Sequence, residues 1–268
     1  MNPAALVFSL LLLPPQNPDS VLLDQGFNDL YNLSFSRAHH DFETWQKQHP
    51  ESPIGPVFDA AAYLFSEFDR LKILQSQFFV DDKAYDHRKR ETPDPQIKRD
   101  FQQALAQSKD LAAKQLVKSP NDENALFANV LRLGLDANYL ALIEKQNLSA
   151  LKEVKQGTEQ AEDLLKLHPD CYDAYIAIGI ENYLLSLKPA PVRWLLNVTG
   201  AQTDRQTGIE KLKLTAAKGH YLQPYAELLL AVAALRDKNT NEARRRLSDL
   251  AQRFPMNPLY RQELNRIP

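Results

Sequence analysis

Along this chain the apolar residues recur every three to four positions in segments separated by prolines, a period that predicts amphipathic helices rather than strands. Segments 20–31 and 35–48, joined by a turn at 32–34, predict a first helical pair that ends at Pro50. Segment 57–71 predicts the next helix, and 96–118, ended by Pro120, predicts its partner. Between them, 75–95 (QSQFFVDDKAYDHRKRETPDP) has no helical period and reads as an insertion. A third pair is predicted over 123–137 and 148–167. A fourth spans 172–219 and is broken at Pro189 and Pro191 by a second insertion, 188–203. The fifth follows at 224–237 and 241–254, and 257–268 reads as a capping helix or tail. The expectation is an all-α protein, more than half helical. Its hairpins form one domain over 20–256, because stacked hairpins bury a core only against their neighbours.

The hairpins share a frame. Gly26, Ala38, Phe42 and Pro50 are spaced by twelve, four and eight residues, and the last two intervals recur in Gly157, Ala161, Pro169 and in Ala243, Leu247, Pro255. Tyr175, Ile178 and Gly179 stand where a tetratricopeptide (TPR) repeat carries Trp, Leu and Gly, the small Gly admitting the partner helix. The pattern resembles TPR proteins and predicts a TPR-like solenoid of about five hairpins with two insertions. The run GIENYLLSLKPAPVRWLLNVTGAQTDRQTGIEKL also resembles a segment of the tetratricopeptide-repeat-domain 39 proteins and their inclusion-clearance relatives. The matching residues are Gly179, Ser186, Leu187, Pro189, Leu195, Gly200, Asp204, Arg205 and Gly208, within about 172–214. That resemblance implies a non-catalytic adaptor and transfers no catalytic residue.

In a stack of this kind the first helix of each hairpin lines the concave face. The frame places Phe27, Tyr31, Leu64, Phe65, Phe127, Leu131, Tyr183 and Leu184 there as candidate groove residues, and among the positions so assigned only Gly134 and Arg236 are not apolar. An apolar face of this extent is too large to leave in water. It is expected to be covered by the insertions, through Phe78, Phe79 and Tyr85 or through Trp194, Leu195 and Leu196, or else to hold a peptide, a protein segment, an apolar ligand or lipid, or a second subunit. The functional expectation is a non-enzymatic scaffold that binds in this groove. The alternatives are a structural or assembly protein whose groove its own insertions fill, and a repeat-built enzyme.

Composition narrows the partners. A net charge of -2 with a pI near 6.3 offers no general attraction to phosphate backbones, so nucleic acid is not expected. The run AALVFSLLLL at 4–13 has the length of a signal-peptide core, without a preceding basic residue or a following small-x-small site. Residues 1–19 therefore read either as a signal peptide, implying a periplasmic or secreted protein, or as an apolar tail on a cytoplasmic one. No other stretch reads as long and apolar enough to span a bilayer.

Candidate chemistry adds little. His39, His40 and His49 are not spaced to share a metal on one helix, and HExxH, GxSxG and phosphate-cradling glycine patterns are absent from the chain, so no catalytic residue and no cofactor are assigned. The cluster Lys83, His87, Arg88, Lys89, Arg90 is interleaved with acids and reads as a solvated loop. Arg244, Arg245 and Arg246 fan around one helix and read as solubilising residues. The apolar stretch 192–198 (VRWLLNV) reads as a buried helix in preference to a membrane- or partner-contacting one, and Cys171 as a small buried residue.

Overall fold

The computed structural model describes residues 18–74, 92–188 and 190–267, and among them it has twelve α-helices and no strand. The helices are α1 (Pro18–Tyr31), α2 (Phe35–Gln48), α3 (Ile54–Arg70), α4 (Pro95–Lys118), α5 (Glu123–Asn138), α6 (Asn147–Leu167), α7 (Tyr175–Ser186), α8 (Ala190–Val198), α9 (Arg205–Lys218), α10 (Gln223–Arg236), α11 (Thr240–Arg253) and α12 (Pro258–Arg266). The all-α expectation holds. Residues 1–17 and 75–91 lie outside the described residues, and with them the signal-peptide reading and the readings of Phe78, Phe79, Tyr85 and the Lys83–Arg90 cluster.

Local chemistry sets the helix ends. Asp94, Asp122, Asp204, Asn239 and Asn257 each precede a helix and accept backbone N–H groups of its first turn, satisfying donors that have no partner inside the helix. Pro95 and Pro258 sit just inside two of these starts, where a missing N–H costs nothing. Several stops are left-handed residues: Leu33, Lys72 and Lys238 have φ of 59°, 56° and 59°. After them Ser34, Ile73 and Asn239 donate back to the carbonyls of Asp29, Phe68 and Ala234, closing the helix ends.

The helices pair as the frame predicts: α1 with α2, α3 with α4, α5 with α6, α7 with α9 and α10 with α11, while α12 packs on α11 through Tyr260. Small residues mark the close approaches. A Cβ on Gly179 would lie 2.9 Å from the Leu212 side chain, and one on Gly208 would lie 2.5 Å from the Tyr183 backbone nitrogen. Neither position has room for a larger residue.

Two elements depart from expectation. The third hairpin's first helix does not stop near Ala137; it widens into a π-helix, Tyr139–Glu144, which buries Tyr139 against Phe101 with ring centroids 5.0 Å apart. Together Glu123–Glu144 form 22 helical residues long and apolar enough to cross a bilayer, contrary to the sequence expectation. Much of that apolar surface, including Phe127, Val130 and Leu133, is buried in the protein's own core. The second insertion contains α8, a helix as its sequence predicts, but one whose Val192, Trp194 and Val198 are exposed where burial was expected.

The first hairpin also meets the last. His220 Nε2 lies 2.7 Å from Asp24, Tyr31 Oη donates to the Tyr221 carbonyl at 2.8 Å, and Asn257 Nδ2 donates to the Tyr31 carbonyl at 2.9 Å. The Met256 N–H completes the seam at Asn32 Oδ1, 3.0 Å away. The two ends of the described chain are thus bonded through residues about 190 to 226 apart in sequence.

Candidate functional site

The frame's inward positions have divided fates. Phe27, Leu64 and Phe127 are buried in one core, and Tyr31, Phe65 and Leu131 are half-buried against it. Tyr183 is buried too, but in a different cluster, facing Leu212 and Ala216 of its own hairpin. Leu184, the next residue, is 45% exposed. Gly134 faces open space, with nothing within 4 Å of where a Cβ would sit.

Among the described residues, what covers Phe27 is the turn between α9 and α10. There Tyr221 stacks on Phe27 at 4.9 Å and meets Phe58 edge-on at 4.9 Å, while Phe27 and Phe58 touch at 4.6 Å. Tyr225, one turn into α10, meets Phe65 at 6.0 Å, and Phe254 meets Tyr31 at 5.1 Å. Aromatic pairs at these distances contribute beyond their buried area.

Asp173 holds that turn in place. Its buried carboxylate accepts the N–H groups of His220 (2.9 Å), Tyr221 (2.9 Å) and Leu222 (3.1 Å). Burial raises the pKa of Asp173, against the three N–H donors and the nearby His220, which lower it. Gly219 must be glycine here, since a Cβ would lie 2.5 Å from Asp173 Oδ1. Sequence reasoning missed Asp173, Tyr221 and Tyr225. The available signal was a bulky aromatic in the connection GHYLQP, where a solvated turn would carry polar residues.

The segment behind the family resemblance forms a polar network. Asn182 Nδ2 donates to Gln202 Oε1 (2.7 Å), and the backbone N–H groups of Gln202 and Asp204 donate to Glu181 (3.1 Å) and to Asn182 Oδ1 (3.0 Å). Gln202 Nε2 continues to Glu162 at 2.6 Å. An open depression of about 470 Å³ beside it is lined by Asn182, Asn197, Gln202, Thr203, Asp204 and Thr207. These groups bind the connection between α8 and α9 to α6 and α7, and Asp204 caps α9. The hydroxyls are engaged in the same network, Thr203 Oγ1 donating to Asn197 Oδ1 at 2.7 Å and Thr207 Oγ1 to Asp204 Oδ2 at 3.1 Å.

Other titratable groups are engaged structurally. His39 Nδ1 lies 2.5 Å from Asp59, and its ring packs on Tyr63 at 4.1 Å. Tyr63 is pushed up to about 12 by burial first and then by Asp59, Asp100 and Glu43. Among the described residues no three His, Cys, Asp or Glu side chains are placed to share a metal ion. Cys171 is buried and its thiol is pushed up to about 12, chiefly by desolvation, which keeps it out of the reactive thiolate form. The three arginines do more than solubilise: Arg246 is buried and paired with Glu227 and Glu242, Arg245 with Glu242, and Arg244 donates to the Ile267 carbonyl at 2.7 Å.

α8 overturns the expectation of a buried helix. Trp194 is 68% exposed, Val198 and Val192 are also exposed, and Leu196 is half-buried, so none of these side chains is buried; the side chain of Leu195 lies outside the described residues. Arg193 fixes its start by donating to the Lys188 carbonyl at 2.8 Å. The Lys155 ammonium of α6 fixes its end at the Thr199 carbonyl. No family model, no curated protein and no solved structure matches the chain.

Proposed function

We propose that the protein is a non-enzymatic scaffold of TPR-like hairpins whose inward face is taken up by its own core and whose partner contact is the projecting helix α8. One contrast carries this reading: Phe27, Leu64 and Phe127 are buried in the core, Phe27 beneath Tyr221, whereas Trp194 stands 68% exposed on a helix tied down at both ends. A large aromatic left in water on an anchored element is a recognised mark of a binding surface.

A second reading, a peptide, protein segment or apolar ligand held in the concave groove, is favoured by the open space at Gly134 beside half-buried Leu131. Photo-crosslinking separates the two. With a benzophenone amino acid at position 198 or 131 of the full chain in its native cell, adducts are expected from 198 and none from 131. Adducts from 131, or silence at 198, would overturn α8 as the contact element.

A further inference from the structure

We propose that α8 and the adjoining first half of α6 form one surface that seats on an anionic phospholipid bilayer. This rests on the reading of α8 as the contact element and names what it contacts.

Apolar exposure is concentrated there. Among the described residues eight large hydrophobic side chains are exposed, and five of them are Leu148 at the start of α6, Leu184 at the end of α7, and Val192, Trp194 and Val198 of α8. The two regions adjoin, because Lys155 of α6 bonds the Thr199 carbonyl just beyond α8. Leu148 lies seven residues, or about 10 Å, further along α6.

Charge is concentrated with it. Residues 146–155 and 184–200 contain Lys152, Lys155, Lys188 and Arg193 against the single acid Glu153, in a chain whose net charge is -2. Basic side chains beside an exposed Trp and aliphatic residues match the headgroup region of an anionic leaflet, where the apolar tips enter the acyl boundary and the cations stay at the phosphates. Shape favours a bilayer over a peptide. Residues 194, 197 and 198 are exposed within about 100° of one another on α8, which presents a projecting face, whereas peptides are gripped in grooves or along sheet edges.

The test uses the full chain with vesicles of phosphatidylcholine alone or with about 30 mol% phosphatidylglycerol. Co-sedimentation is expected with the anionic vesicles, weakening with added salt. Tryptophan emission should shift to the blue on binding, a signal from Trp194 because Trp45, the other tryptophan, is already buried. Trp194→Ser with Val198→Ser should weaken binding about tenfold while leaving the circular dichroism unchanged, since both residues are exposed. Lys152→Glu with Lys188→Glu should abolish the preference for anionic vesicles. The proposal fails if anionic vesicles bring down no protein, if neutral vesicles bind equally, or if the serine variant binds like the wild type. Should vesicles fail while position 198 still crosslinks to a protein, α8 remains the contact element and its partner is that protein.

Discussion

Tyr221 lies over Phe27 with ring centroids 4.9 Å apart and planes 27° from parallel, although 194 residues separate them in the chain. That stack joins the connection between the fourth and fifth hairpins to the first helix. The Asp173 carboxylate sets its geometry by gathering the three N–H groups around Tyr221. The pair therefore connects the burial of Phe27 to the join between the two ends of the described chain.

Replacing Tyr221 by Ala removes the ring that packs on both Phe27 and Phe58 and leaves a gap that a turn held by Asp173 cannot collapse to fill. A loss of about 3 kcal/mol is expected. Chemical denaturation measures it, and a hydrophobic dye silent with the wild type should bind the variant as Phe27 and Phe58 become exposed. A variant of unchanged stability would show that the stack contributes nothing to closure.

Two helical glycines should respond in opposite senses to the same substitution. Gly208→Ala places a methyl 2.5 Å from the Tyr183 backbone nitrogen, where only a shift of α9 away from α7 makes room. It should destabilise by about 1–3 kcal/mol. In Gly157→Ala the new methyl meets Leu133 at 3.4 Å, close to ordinary contact, and the gain in helix propensity leaves it neutral or stabilising by up to about 1 kcal/mol. Melting temperatures that fall equally in both would contradict this packing.

Acid should weaken the last hairpin through Glu242. The hydrogen bond from Arg245 first, and then the charge of Arg246, hold its carboxyl at about 2, below the ordinary glutamate value of 4.5. A folded pKa below the unfolded one gives stability that is fully present above about pH 4.5 and lost as pH falls toward 2. Glu242 is about a third exposed, so water screens these pairs and the linkage amounts to about 1 kcal/mol. Stability measured in urea from pH 6 to pH 2.5 should fall less steeply for Glu242→Gln than for the wild type. Parallel curves would remove Glu242 from the acid response.

The chain's local chemistry determined its helices. Pro95, Asp204 and Asn257 act on residues within one turn of themselves, so starts and stops are written where they occur. The spacing of small and apolar residues likewise determined which helices pair, because neighbours in sequence are neighbours in space in this fold. Tertiary structure alone decided which apolar side chains are covered. Phe27 and Trp194 are both large aromatics on helices, yet the first is buried because Tyr221 arrives from the far end of the chain and the second is exposed because nothing described reaches it. Periodicity reports the side of a helix a residue occupies. Burial depends on what that side meets, and here the answer lies with Asp173 and a turn nearly two hundred residues from the helix it covers.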